Sequence, residues 1–203
     1  MVRCLLVRLP VVTSLVCCLS QPGPAQTENP RTKILIVYHS VMGHTAALAK
    51  AVEEGARRVP GVEVSRMATA EVKCPDLLGS DAVIVGSPVY WSNMSAEVKA
   101  FFDRWTHECN VLPPGFEMRD KIGAAFATGG EASSGKEFTL LSILVAMLGN
   151  RMIVVSEGDA LGATATTGEG KSPVSEKDLE EGRKLGERVA RVALQYSRGR
   201  PRH

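Results

Sequence analysis

The stretch KILIVYHSVMGHTAALAKAVEEGARR, residues 33–58, holds an apolar run, a short loop and a helical pattern in direct succession. Residues 33–39 read as a strand covered on both faces, because the run is apolar and rich in β-branched side chains. Residues 46–58 place Leu48, Val52 and nearby alanines on one side of a helix. This order predicts the first half of a βαβ unit, with a small loop at the carboxyl end of its strand.

The same alternation of apolar runs and helical patterns continues to residue 195. Further strands are predicted at 62–67, 82–86, 121–127 and 152–156. Further helices are predicted at 95–105, through 140–148 and at 175–195, with Ser95 as one N-cap and Ser175-x-x-Asp178 as another cap signature. A loop rich in Gly and Thr is expected at 157–173. Five strands alternating with helices predict an α/β fold with a doubly wound parallel sheet and no second domain.

In such a sheet, ligands bind outside the carboxyl ends of the strands. Three loops follow the first, third and fourth strands, and their sequences are SVMGHT, SPVYWSNM and TGGEASSG. Their convergence at one edge of the sheet is the main functional signal of the chain.

The first loop suits a single terminal phosphate. It lacks the lysine of one common nucleotide motif and the three glycines of the other. Backbone N–H groups at a helix N-terminus and two hydroxyls can hold a phosphate without a balancing cation. The alternative is an ordinary turn in which the Ser and Thr hydroxyls only cap the helix. The candidate residues are Ser40, Val41, Met42, Gly43, His44 and Thr45.

The second and third loops suit a flat heteroaromatic ring. The second places two aromatics next to backbone donors, although such a pair can also pack down as core. Its candidates are Pro88, Val89, Tyr90, Trp91, Ser92 and Asn93. The third is rich in donors, and the alternative is a permissive surface loop. Its candidates are Thr128, Gly129, Gly130, Glu131, Ala132 and Ser133.

The first 25 residues differ from the rest of the chain. They contain two arginines, no acidic residue and an apolar run, which predicts a secretory signal peptide; a disordered leader or a misassigned start is the alternative. Residues 26–32 are predicted as a linker and 196–203 as a basic tail. Without residues 1–25 the net charge falls from +2 to 0, which argues against nucleic acid as a partner. No stable membrane span is expected.

Two cysteines, Cys74 and Cys109, remain after the leader. They are expected in loops at the same end of the sheet, and in an exported protein an oxidised pair and two free thiols both stay open. No residue set has the spacing of a metal site.

The loop sequences resemble a known family. SVMGHT, GSPVYWSNMS with the following EVKAFFDR, and DKIGAAFATGG are similar to flavodoxin-like proteins, most of all to WrbA-type NAD(P)H:quinone oxidoreductases. The resemblance covers about residues 33–190. It implies a flavodoxin-like three-layer sandwich of strand order 2-1-3-4-5, with residues 33–195 as an FMN-binding domain. By position, 40–45 would hold the FMN phosphate, 88–93 and 128–133 would flank the ring, and Trp91 would pack on it.

The resemblance also implies an activity. NAD(P)H would reduce the flavin and a quinone-like acceptor would reoxidise it, with no catalytic protein side chain, in a homo-oligomer (a dimer or tetramer). Two alternatives stay open: a flavodoxin-like electron carrier, and a flavin-free interaction protein. The predicted location is the periplasm or the extracellular space if the signal is real, and the cytoplasm otherwise.

Overall fold

A computed structural model describes residues 31–111, 113–157, 161–168 and 173–199. The predicted signal peptide and most of the predicted linker lie outside these residues. The described residues form one compact unit. No helix within the described residues has both the length and the apolar character required to cross a membrane.

The chain alternates strands and helices as predicted. The strands are β1 (Thr32–Tyr38), β2 (Val62–Ala68), β3 (Ala82–Tyr90), β4 (Asn93–Met94), β5 (Ile122–Gly129), β6 (Ile153–Val154) and β7 (Ala163–Thr166). The helices are α1 (His44–Arg57), α2 (Cys74–Leu78), α3 (Ala96–His107), α4 (Lys136–Gly149) and α5 (Glu176–Gly199).

The sheet runs in the order β2-β1-β3-β5-β6, and all of these pairs are parallel. This confirms the predicted flavodoxin-like order 2-1-3-4-5. The short strand β4 shifts the numbering, so β5 is the predicted fourth strand and β6 is the start of the predicted fifth. β1 is nearly closed to solvent, with Ile36 and Val37 both 0% exposed, as expected for a strand between two helical layers. The carboxyl ends of β1, β3 and β5 therefore meet at one edge.

A separate hydrophobic core lies on each face of the sheet. On one face of the sheet, α1 and α5 pack together, with Leu48, Val52, Leu185 and Val189 at their centre. On the other face, apolar side chains of α2, α3 and α4 cover β3 and β5. Ser95 caps α3 by accepting a hydrogen bond from the Val98 N–H, as predicted.

Four predicted segments need correction. The fifth strand is not one run at 152–156 but two short strands, since β6 pairs with the start of β5 and β7 with its end. β7 lies in the stretch predicted as loop, because its Ala and Thr residues lack the bulky apolar signature of a strand. Residues 87–94 are not a loop, because β3 and β4 form a hairpin there. The helix α5 extends through 196–199, which were predicted as tail.

Candidate active site

A cleft opens where the three predicted loops converge. Its cavity volume is about 200 Å³. The first, second and third loops all contribute to its wall, as does the end of β7. The lining residues are Ser40, Val41, Met42, His44, Thr45, Pro88, Val89, Tyr90, Thr128, Gly129, Gly130, Thr167 and Gly168. None of these carries a carboxylate, an ammonium or a guanidinium group.

The first loop leaves the N-terminus of α1 open. The N-cap residue is Gly43, in the left-handed region at φ 90°, and no side chain caps the helix. The Ser40 hydroxyl accepts from the Gly43 N–H at 3.1 Å, so it closes the loop rather than the helix. The alternative of a purely capping role is therefore wrong. The first-turn N–H groups of α1 remain available to an anion.

A hydroxyl pair joins the first loop to the third. The Thr45 and Thr128 side-chain oxygens lie 2.8 Å apart. Both residues are buried, at 1% and 4% exposure. Because each hydroxyl both donates and accepts, the pair can present a donor to a ligand without adding charge.

The second loop is a tight hairpin. Trp91 and Ser92 occupy its turn with φ of 50° and 60°, a conformation usually taken by Asn-Gly. The turn lifts both aromatics away from the core: Tyr90 is 42% exposed and Trp91 is fully exposed. The alternative that this pair packs as core is wrong. Tyr90 lines the cleft, whereas Trp91, Ser92 and Asn93 do not.

The third loop is held by a buried lysine. Lys136, the first residue of α4, is 4% exposed. Its ammonium group donates to the carbonyls of Glu131 and Ala132 at 2.9 and 3.3 Å and to the Thr166 hydroxyl at 2.8 Å. Glu131, Ala132 and Ser133, which were predicted to flank the ring, are not among the residues that line the cleft. The lysine ties this loop to β7.

The sequence interpretation missed four contributors. Thr167 and Gly168 line the cleft directly after β7, a strand that the sequence pattern did not predict. Lys136 carried no recognisable signal, because an isolated lysine usually lies on the surface. The His39 Nδ1 lies 2.9 Å from the Ser95 hydroxyl and 3.3 Å from a Glu97 carboxylate oxygen, and the ring meets that of Tyr90 edge-on.

The cleft fits FMN by the chemistry of its donors. An uncapped helix N-terminus with neighbouring hydroxyls and no carboxylate suits a phosphate dianion. Val41, Met42, Val89 and Tyr90 line the cleft and supply apolar and aromatic surface for a flat ring. In the described residues, no group of His, Cys, Asp or Glu could hold a metal ion. Fold and cleft together define an α/β protein that binds a phosphorylated aromatic cofactor at its strand ends.

Comparison with known proteins identifies the family. Residues 74–167 match the NADPH-dependent FMN reductase family. A flavodoxin of Clostridium saccharobutylicum is 34% identical over 80% of this chain and 98% of its own length. An NAD(P)H dehydrogenase (quinone) of Archaeoglobus fulgidus is 33% identical over 79% of this chain and 97% of its own length.

Solved structures agree with the sequence relatives. The crystal structure of a WrbA-like flavodoxin from Agrobacterium tumefaciens superposes with a TM-score of 0.68 at 28% identity, over 81% of this chain and 99% of the other. The chain belongs to the flavodoxin-like family of FMN proteins, of the WrbA type. The resemblance drawn from the loop sequences is thereby confirmed.

Proposed function

We propose that this protein is an FMN-dependent oxidoreductase that passes two electrons from NAD(P)H to a quinone-type acceptor. The observation that carries the proposal is the neutral cleft at the uncapped N-terminus of α1, walled by all three strand-end loops. The relatives named as FMN reductases and quinone dehydrogenases support the same activity.

The side chains of the cleft bind and orient, and none is needed as a nucleophile. The first loop would hold the phosphate through the N–H groups of α1 and the Thr45–Thr128 hydroxyl pair. Residues of the second and third loops would flank the ring, with Tyr90 as the aromatic wall. FMN, when bound, supplies the two-electron chemistry. Because Tyr90 is 42% exposed, its ring would remain accessible to a second flat molecule.

The visible spectrum of the purified chain tests cofactor binding. We expect flavin bands, either as purified or after incubation with FMN. A chain that shows no flavin bands after that incubation contradicts the proposal.

Rapid mixing of the FMN-loaded protein with NADH or NADPH separates an enzyme from an electron carrier. Bleaching of the flavin bands, followed by reoxidation on adding a quinone, supports the enzyme. Bound FMN that neither nicotinamide reduces supports a carrier instead, the reading that the flavodoxin relative favours. Neither measurement requires a known physiological partner of the protein.

We also propose that the protein is exported. The predicted signal peptide motivates this, and a disulfide between Cys74 and Cys109 is consistent with an oxidising compartment. Cell fractionation with N-terminal sequencing tests it. A chain that keeps residues 1–25 and stays in the cytoplasm contradicts it.

A further inference from the structure

His39 contacts Tyr90 without lining the cleft itself. It directly follows β1, and its backbone N–H donates to the Gly86 carbonyl at 3.2 Å, so the pairing of β1 with β3 continues to it. Its side chain is 15% exposed and is not among the groups that line the cleft. Its ring meets that of Tyr90 edge-on, with centroids 6.3 Å apart and planes at 81°. Ring pairs in this arrangement attract each other beyond the area that they bury.

Two oxygens at the start of α3 fix the His39 ring. The Nδ1 atom lies 2.9 Å from the Ser95 hydroxyl and 3.3 Å from a Glu97 carboxylate oxygen. A carboxylate accepts hydrogen bonds and does not donate them, so Nδ1 carries a proton in this arrangement. Ser95 is 0% exposed, and its N–H donates to the Ser87 hydroxyl on β3 at 2.9 Å. The imidazole is therefore anchored on the packed contact between sheet and helix rather than on a free loop.

The turn that carries Tyr90 needs support from outside. Trp91 and Ser92 both take left-handed φ, 50° and 60°, a conformation that non-glycine residues keep only where neighbouring groups hold it. Trp91 is fully exposed and contributes no packing. Ser92 is held from α4, since a Cβ on Gly135 would stand only 2.7 Å from the Ser92 Cα. On the Tyr90 side, the aromatic neighbour within the described residues is His39.

We propose that His39 is a positioning residue of the flavin site. Anchored on α3 through Nδ1, its imidazole holds the Tyr90 ring in place as the aromatic wall of the cleft. His39 acts through Tyr90 and does not itself contact the cofactor. This role rests on the proposed function, because the wall at Tyr90 is assigned to the ring of FMN.

Support of the phosphate loop is the competing role for this side chain. His39 directly precedes Ser40, the first residue of the loop assigned to the FMN phosphate. Riboflavin separates the two roles, since it carries the ring system of FMN without the phosphate. A residue that positions the ring wall affects the binding of both ligands equally, whereas a residue that supports the phosphate loop affects FMN alone.

Fluorescence titration of the apoprotein with each ligand makes this comparison. We expect His39→Ala to weaken FMN and riboflavin binding by the same factor, about threefold to tenfold, which corresponds to the loss of one aromatic pair. His107→Ala, at the exposed last residue of α3, is the matched control and should change neither affinity. Loss of FMN affinity with unchanged riboflavin affinity overturns the proposal.

Two partial replacements test whether the anchor and the ring act together. His39→Asn retains an N–H donor near the Nδ1 position, and His39→Phe retains a ring without that donor. We expect neither variant to have the wild-type affinity for riboflavin. Wild-type affinity in His39→Phe would overturn the role of the Nδ1 anchor, and wild-type affinity in His39→Asn would overturn the role of the ring.

Nitration of the apoprotein with tetranitromethane, located by mass spectrometry, tests the wall without any flavin. We expect Tyr90 to react several-fold faster in His39→Ala, because its ring loses its support. Tyr196 on α5, which packs against the core on the other face, should keep its rate. Glu97→Ala removes a half-exposed anchor and should act in the same direction even where His39→Ala does not fold. Wild-type nitration rates of Tyr90 in both variants overturn the proposal.

The outcomes separate this role from the proposed function. A wild-type chain that binds neither FMN nor riboflavin contradicts the proposed function, and the nitration rates still decide whether His39 holds Tyr90. A wild-type chain that binds flavin, with unchanged affinities and nitration rates in the His39 variants, contradicts the role of His39 alone.

Discussion

Gly43 is the residue on which the phosphate end of the cleft most depends. Its φ of 90° is a left-handed conformation that β-branched residues avoid, and among the described residues no atom lies within 4 Å of where a Cβ would stand. A side chain there would enter the open space in front of α1. Glycine at this position therefore permits the conformation of the turn and leaves room for an anion at the helix N-terminus.

We expect Gly43→Val to abolish FMN retention while the protein still folds. The valine Cβ would project into the proposed phosphate position and strain the loop that presents the α1 N–H groups. Titration of the apoprotein with FMN, followed by fluorescence quenching, measures the change. The control is Gly61→Val, which imposes a similar strain at φ 91° in a turn away from the cleft. Normal FMN affinity in Gly43→Val would refute the phosphate site.

Lys136 offers a second test at the same scale. No carboxylate pairs with its buried ammonium group among the residues that the structure describes. Lys136→Met keeps the apolar stem but removes three hydrogen bonds, each worth about 1.5–3 kcal/mol for a charged donor. We expect the third loop to loosen and FMN affinity to fall at least about tenfold, a loss of roughly 1.4 kcal/mol.

The matched control for Lys136 is Lys99→Met, which removes an exposed ion pair with Asp103 on α3. Lys99→Met should change neither the order of the third loop nor the FMN affinity. Protease cleavage within residues 129–135 reports loop order separately from FMN binding. If Lys136→Met has the same resistance to protease and the same FMN affinity as wild type, the hydrogen bonds of the lysine do not hold the third loop in place.

At the scale of elements, one carboxylate ties α1 to β2. Glu53 of α1 accepts from Arg66 of β2 at 2.6 Å and from Arg57 at 2.8 Å. Burial opposes the charged form, but the hydrogen bonds from the two arginines outweigh it and hold the pKa of Glu53 below its usual 4.5. A carboxyl whose pKa is lowered on folding stabilises the protein above its unfolded pKa, and that stability is lost as the pH falls.

We expect Glu53→Gln to lower the free energy of unfolding by about 1–2 kcal/mol at pH 7. The difference from wild type should shrink as the pH falls below the pKa of a glutamate in the unfolded chain, about 4.3, towards the lowered pKa of Glu53 in the folded protein. Urea unfolding at several pH values measures both. Glu63→Gln, at an exposed position on β2, is the control. A difference that stays constant from pH 7 to pH 3 would contradict the ion-pair account.

Some strands could not be predicted from local sequence patterns, whereas others could. The long strands and helices were predicted because their own periodicity reveals them. The hairpin of β3 and β4 was missed, since its turn is Trp91-Ser92 rather than a recognisable Asn-Gly. β7 was missed because its alternating Ala and Thr residues are stabilised by pairing with Phe126–Gly129, a contact that no local window contains.

At the scale of the whole molecule, a disulfide links Cys74 at the start of α2 to Cys109 beyond the end of α3. The sequence left this pairing open and expected both cysteines between strands at the same end of the sheet; Cys74 begins the short helix α2 there. The bridge closes a loop with a sequence separation of 35. Chain entropy alone assigns such a loop about 4 kcal/mol of stability.

We expect reduction with dithiothreitol to lower the free energy of unfolding by up to about 4 kcal/mol. Denaturant unfolding with and without the reductant measures it. The double variant Cys74→Ser with Cys109→Ser should have the same free energy of unfolding as the reduced wild type. The reductant should not change that value. Equal stability of oxidised and reduced wild type would show that the bridge does not stabilise the fold.

The amino-acid sequence alone was enough to predict the fold class, the strand order by resemblance, and the three loops that meet at the cleft. These features arise from periodicity, caps and glycines, which act over a few neighbouring residues. Tertiary contacts settled the rest: Tyr90 rather than Trp91 in the cleft wall, the open α1 terminus and the burial of Lys136. Each of these depends on which distant atoms pack against a side chain, and that is a property of the assembled layers.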